Sequence, residues 1–270
     1  MFKARVPSVF RATLLISAMA AIAPSAFAQA FDVVRLYGAS VATDTGTVGG
    51  ALVAGRQYQG SDERRYALVP LIDYQWKSGW FAGTINGLGY DFSRRPDMNF
   101  GVRLTADLGR TENRSGTLRG MGDIDIRPEA GAFFNYYFSP QMALTSSLRY
   151  GSGNDRNGLV FDVGAAYSTM LAAQLRLGVG VGATYANADY MQSYFGVTPA
   201  QSVRSGYAST SASAGLRDVR ANAVLTYLVS PSVSITTGVS ANSLQGDARD
   251  SPLTRQRNSV GGLVSVLYRF

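Results

Sequence analysis

Apolar and polar residues alternate one by one through most of this chain. In 99–109 the even positions are Phe100, Val102, Leu104, Ala106 and Leu108, and between them stand Asn99, Gly101, Arg103, Thr105, Asp107 and Gly109. In 174–185 the odd set is Leu175, Leu177, Val179, Val181, Ala183 and Tyr185, interleaved with Gln174, Arg176, Gly178, Gly180, Gly182 and Thr184. In 232–242 Val233, Ile235, Val239 and Ala241 alternate with serine, threonine, glycine and asparagine. Segments 128–138, 141–150, 158–170 and 215–229 behave alike. A period of two is the mark of strands with one apolar and one polar face.

Alternation alone does not say what the apolar face meets, because soluble sandwiches alternate too. Three further features point to lipid. The segments run to about ten residues or more, the length that a strand tilted ~45° needs to cross a bilayer, where soluble strands average five or six. Aromatic residues gather at strand ends on the apolar face: Tyr74, Trp76, Tyr136, Phe138, Tyr150, Tyr167, Tyr185, Tyr227, Tyr268 and Phe270. Such girdles sit at membrane interfaces. Connections also alternate in length. Those at 77–79, 139–140, 171–173 and 230–231 are short, whereas 60–65, 110–126, 151–157, 187–213 and 244–257 are long and polar.

The pattern predicts an all-β fold: a closed antiparallel transmembrane β-barrel with short periplasmic turns and long extracellular loops. Closure follows from physics, since hydrocarbon offers no partner to an unpaired strand edge. Twelve strands are expected near 47–58, 66–76, 79–85, 88–93, 99–109, 127–138, 141–151, 158–170, 173–186, 214–229, 232–243 and 258–270. The weakest division is at 79–93, where Asn86-Gly87 is a two-residue hairpin signal; read as one strand, it makes ten the alternative. Pro70 removes a ladder donor and predicts a bulge or broken pairing in the second strand.

The amino terminus reads differently. Lys3, Arg5 and Arg11 precede an apolar run at 12–23, followed by Ala26-Phe27-Ala28. This is the layout of a secretion signal, too short to span a bilayer. The expected organisation is a signal peptide at 1–28, an N-terminal segment at 29–46 and a barrel domain at 47–270. Localisation is then the outer membrane of a Gram-negative bacterium.

Composition narrows the chemistry. The 270 residues include no Cys and no His. That excludes thiolate nucleophiles, thiolate metal sites and His-based acid–base work. No catalytic residue, metal ligand or cofactor-binding residue is assigned, and no enzyme activity is expected. Three of the 25 basic residues lie in the signal, leaving 22 against 18 acids, too mild a surplus to argue for nucleic acid. Nearly all are Arg, which suits outer loops gripping lipopolysaccharide phosphates. Outer-membrane lipid and lipopolysaccharide are therefore expected neighbours.

Charges expected to line the lumen are Arg103, Asp107, Glu129, Arg149, Asp162, Arg176, Arg220 and Arg269. A selectivity filter would call for a ring of one sign. Mixed signs favour ions that pair with one another and lock the barrel. Asp123 and Asp125 fit a solvated loop better than a calcium site, and Gly178 to Gly182 give space in the lumen rather than a dinucleotide loop. The 187–213 loop carries Tyr190, Met191, Tyr194 and Phe195. They are expected to form a lid folded over the lumen, with a recognition surface as the alternative.

Several stretches also resemble the MipA/OmpV family: 49–76 (GGALVAGRQYQGSDERRYALVPLIDYQW), 119–134 (RGMGDIDIRPEAGAFF), 189–206 (DYMQSYFGVTPAQSVRSG), 246–253 (GDARDSPL) and the final YRF. The resemblance implies an outer-membrane barrel. It also implies a role as scaffold between a lytic murein transglycosylase and a murein synthase, with contacts at the periplasmic turns and at 93–99. Other members are described as surface antigens, adhesins or channels, so a small-solute channel or a surface adhesin is the alternative function.

Overall fold

The computed structural model describes residues 43–270. The expected signal peptide, and all but the last four residues of the expected segment 29–46, lie outside them. Twelve strands form one closed antiparallel barrel: β1 (Thr45–Arg56), β2 (Arg64–Gln75), β3 (Trp80–Gly83), β4 (Gly87–Asp91), β5 (Met98–Asp107), β6 (Arg127–Ser139), β7 (Met142–Ser152), β8 (Gly158–Ala172), β9 (Leu175–Ala186), β10 (Gly215–Leu228), β11 (Val233–Leu244) and β12 (Asn258–Arg269). Each strand pairs with its neighbours in sequence, and β1 pairs with β12 to close the cylinder.

Alternation decides which way each side chain points. On β5 Phe100, Val102 and Leu104 are exposed on the outer surface, while Asn99, Arg103 and Asp107 are buried inside. Outward-facing apolar residues on every long strand leave an apolar outer band that only lipid can cover at low free energy. Aromatic rings meet in pairs at the end of the barrel where the turns are short, hereafter the rim. Tyr74 packs on Trp76, Trp80 on Tyr90, and Tyr136 on Phe138.

The rim carries Thr45, Arg269 and the short turns. The opposite end, the mouth, carries the long connections. Three helices form there: α1 (Ala188–Phe195), α2 (Pro199–Ser205) and α3 (Gly246–Asp250). Asn187 caps α1 through its side chain, and Thr198 with Gln201 forms a capping box on α2.

The wall is uneven at two places that alternation does not foresee. First, β3 and β4 are only four and five residues long. Gly83 pairs with Gly87, so the connection is the three residues Thr84–Asn86 rather than a two-residue turn. Gly87 takes φ +74, a left-handed conformation that favours glycine. Second, the pairing of β2 with β1 runs unbroken through Gly50↔Pro70. The expected bulge at Pro70 is absent; the missing pairing is on the other edge, where the ladder to β3 spans only Asp73 to Gln75. Register shifts lie elsewhere, including one between Leu216 and Asp218.

Candidate functional site

The lumen wall from β6 to β10 holds a chain of charges, one strand after another. Arg149 on β7 reaches Glu129 on β6 at 3.3 Å and Asp162 on β8 at 3.1 Å. On β9 the hydroxyl of Thr184 donates to Asp162 at 2.7 Å and accepts from Arg220 on β10 at 2.6 Å. Arg220 also lies 3.4 Å from Asp162 and 3.5 Å from Asp218, which pairs with Arg217 at 2.6 Å. Glu129 further accepts from Thr105, Asp218 from Asn242, and Arg103 donates to Ser147. Acid and base thus alternate around the belt, and the buried ions neutralise one another. A buried charge is tolerated only when paired and hydrogen-bonded in this way.

Local backbone makes the belt possible. Gly182 stands opposite Arg220, where a Cβ would come within 3.2 Å of the guanidinium. The register shift at Leu216/Asp218 puts two consecutive residues, Arg217 and Asp218, on the inner face, each 1 % exposed. A bulge re-aims side chains in this manner. Of the expected lumen charges, Arg103, Asp107, Glu129, Arg149, Asp162 and Arg220 gather in or beside this belt. Arg176 lies apart toward the rim, where its Nε meets the sulfur of Met170 at 3.4 Å. Arg269 is exposed at the rim, on the last residue of β12. Sequence reasoning passed over Arg217 and Asp218. Asp218 has the parity of Arg220 and was legible from it, whereas Arg217 reaches the lumen only through the bulge.

Above the belt, α1 lies across the mouth. Tyr190, Met191, Tyr194 and Phe195 are all buried, in one cluster with Ile124, Val160, Ala186, Ala212, Leu244 and Ala248. Val160, Ala186 and Leu244 are inner-face residues near the mouth ends of β8, β9 and β11, so the helix packs into the barrel and not over its outside. Its two tyrosines, stacked at 4.6 Å, reach far-apart walls. The Tyr194 hydroxyl donates to Asp107 of β5 at 2.6 Å. The Tyr190 hydroxyl accepts from Arg217 of β10 at 2.9 Å, with that guanidinium over its ring. Five strand steps separate β5 from β10 in a barrel of twelve, so one helix bonds nearly opposite sides. Arg110 adds a bond to the Tyr194 carbonyl at 2.8 Å and lies over the Tyr194 ring.

These contacts bias protonation in the loop. Burial, helped by the Asp107 charge, pushes the Tyr194 hydroxyl well above its ordinary value. Burial pushes Tyr190 up to about 12. Both stay neutral donors or acceptors at any physiological pH. Asp123 accepts from the Glu112 amide and Asp125 pairs with Arg127. Among the described residues no cluster of acidic side chains is placed to hold a metal ion.

The chain resembles the KdgM porin, solved with disordered oligogalacturonate (9 % identity, TM-score 0.45, covering 83 % of this chain and 99 % of that one). It also resembles the NanC porin (10 %, 0.43, 83 % and 98 %) and an anion-selective porin from Comamonas acidovorans (10 %, 0.39, 84 % and 99 %). Likeness at this level assigns no activity. No curated protein matches the chain in sequence. Residues 48–270, nearly the whole described chain, match the family described as MltA-interacting protein MipA. With its twelve strands and apolar outer band, the chain is thus an outer-membrane barrel that belongs to the MipA family.

Proposed function

We propose that this barrel is not an enzyme and does not pass solutes at rest, but works through its faces as an interaction protein of the murein-building machinery. One observation carries the reading: α1 is bonded to β5 and β10 at once and fills the mouth above a belt of mutually paired ions. A lumen so occupied leaves the outer loops and the periplasmic rim as the surfaces that act. The family description, an MltA-interacting protein, supports a partner at the rim. There the β4–β5 turn presents Arg94 and Arg95, the latter held by Asp97. Asp44, just before β1, lies at the same rim and accepts from the Lys77 amide at 2.9 Å.

Capture from solubilised envelope tests this reading. The intact chain should retain a lytic transglycosylase and a murein synthase, and Arg94→Glu with Arg95→Glu should lose them. Recovery of no murein enzyme by the intact chain would sink the scaffold. The second reading is a small-solute channel in which α1 moves aside, favoured by the polar inner wall from β5 to β11. In planar bilayers at neutral pH the scaffold reading expects no current steps, and regular steps would favour the channel. A surface adhesin would act through the mouth, where Val203 on α2 is almost fully exposed; deletion of 190–210 without change in cell binding would dismiss it.

A further inference from the structure

The short β3–β4 hairpin leaves an opening in the wall. On β2, the amide of Ile72 donates to the Thr84 hydroxyl at 3.1 Å, and its carbonyl accepts from the Thr84 amide at 2.7 Å. Both backbone groups of Ile72 therefore face the hairpin. In an antiparallel strand every second residue presents both groups to the same edge, so Pro70, Leu68 and Tyr66 present theirs there too. None of the three meets a strand, since the ladder to β3 ends at Asp73. Pro70 has no amide hydrogen to leave unpaired, as expected of a residue on a free edge. Across the gap the ladder between β4 and β5 ends at Leu88↔Leu104. No ladder or bridge joins β2 to β5 among the described residues. The gap lies in the mouth half of the wall. Its floor is the Thr84–Asn86 turn and its roof the contact of Ser115 with the Glu63 carboxylate at 3.0 Å.

Two kinds of chemistry border it. The outer surface is apolar: Leu68 and Tyr66 are 70 % and 65 % exposed, among the most exposed of all strand side chains, and Leu88 and Leu104 face outward beyond them. The upper border carries four arginines against the one carboxylate of Glu63, which is already held by Ser115. Arg56 and Arg64 sit at the mouth ends of β1 and β2, Arg65 lies beside Arg64 on the inner side of the open edge, with the parity of Ala67 and Val69, and Arg114 hangs from the loop above. None of these four forms an ion pair among the described residues, and the Nε of Arg56 is buried without a partner. Burial and the nearby Arg65 charge both disfavour the charged form of Arg114. An anion placed among these groups would relieve that repulsion, and guanidinium is the group best shaped to grip phosphate oxygens. Amides of Leu68 and Tyr66 on the free edge supply further donors, which hydrocarbon alone would leave unsatisfied.

We infer that the gap between β2 and β5 is a binding site for a membrane lipid with an anionic phosphate head, its acyl chain against Leu68, Pro70 and Leu104 and its head under Arg64, Arg65 and Arg114. The site is distinct from the plugged lumen and stands whether or not the scaffold reading does.

The absence of cysteine makes a direct test simple. Leu68→Cys at the gap and Val239→Cys, a lipid-facing residue on β11, three strand steps from β2 and away from the gap, each receive a fluorophore in the full-length protein. Both are reconstituted in vesicles containing either phosphatidic acid or phosphatidylcholine with a nitroxide on the acyl chain. Quenching at Leu68 should show phosphatidic acid preferred over phosphatidylcholine by at least about fivefold at low salt, a preference that falls as salt rises. Val239 should show none. Arg64→Gln, Arg65→Gln and Arg114→Gln together should abolish the preference at Leu68; if the triple variant does not fold, Arg114→Gln alone, in a loop, should reduce it. Equal preference at the two positions, or a preference that survives loss of the arginines in folded protein, overturns the inference.

Discussion

From β6 round to β10 the inner face of the barrel carries Glu129, Arg149, Asp162, Thr184, Arg220, Asp218 and Arg217, each held by a partner on its own or a nearby strand. From β12 through β1 to β2 it carries Ala51, Val53 and Val69, packed with Ala67, Leu71 and Leu263. Both walls are buried and belong to one sheet, yet they resist change differently. In the charged wall each ion is shared among fixed partners, so a single deletion leaves its neighbours buried with one opposite charge fewer. In the apolar wall contacts are non-directional, and a residue of similar volume serves as well. The charged wall fixes one arrangement, while the apolar wall only excludes water.

The sharpest way to break this contrast is Asp162→Ala, which strips Arg149 and Arg220 of a shared carboxylate. It is expected to destabilise the barrel by about 3–5 kcal/mol, read from urea unfolding in detergent. Met191→Ala removes a fully buried side chain from the plug and should lower stability by about 2–4 kcal/mol, with increased proteolysis inside 187–213 as an independent sign that the loop has loosened. Tyr194→Phe keeps the ring but leaves Asp107 without its hydroxyl donor, a loss of about 1–3 kcal/mol. Leu71→Met on the apolar wall should fall below about 1.5 kcal/mol. If Leu71→Met matched Asp162→Ala in the same assay, the two walls would not differ in the way described.

Alkaline pH probes the seating of α1 without mutation. The folded state raises the Tyr190 value to about 12 from 10.0, so the released helix gives up its proton first. Stability from this group is whole below about pH 10 and is lost as pH rises from 10 toward 12. Bilayer recordings should therefore stay silent at neutral pH and show opening only in that alkaline window. Tyr190→Phe should remove the part of the pH dependence that this hydroxyl contributes.

Much of this fold was legible in the sequence because a barrel wall obeys a local rule. Alternation follows from strand geometry and needs no knowledge of partners, so long strands such as β5 and β9 could be read directly, inner charges included. Where the rule breaks, the reading fails. Arg217 lies on the wrong parity and reaches the lumen through a bulge set by pairing with β9. The hairpin signal at Asn86-Gly87 located a turn but not how little strand flanks it, since β3 and β4 stop where Thr84 bonds Ile72 across the sheet. The aromatic loop was visible as too greasy for water, yet its bonds to Asp107 and Arg217 join residues remote in sequence. Pro70 signalled broken pairing correctly in kind and said nothing of which edge.

Gly46 and Phe270 exchange both backbone hydrogen bonds, at 3.0 and 2.9 Å, and the Phe270 ring lies against Tyr74. This seam unites opposite ends of the described chain, so the hoop has no means of shutting until its final strand has arrived. Every earlier hairpin can form from nearby residues, but this one must recruit the most distant segments and meets the largest loop-closure entropy. Damage in the last dozen residues is therefore expected to show first as a failure of biogenesis, with an unsealed ribbon at the membrane, and only afterwards as weakness of the finished molecule.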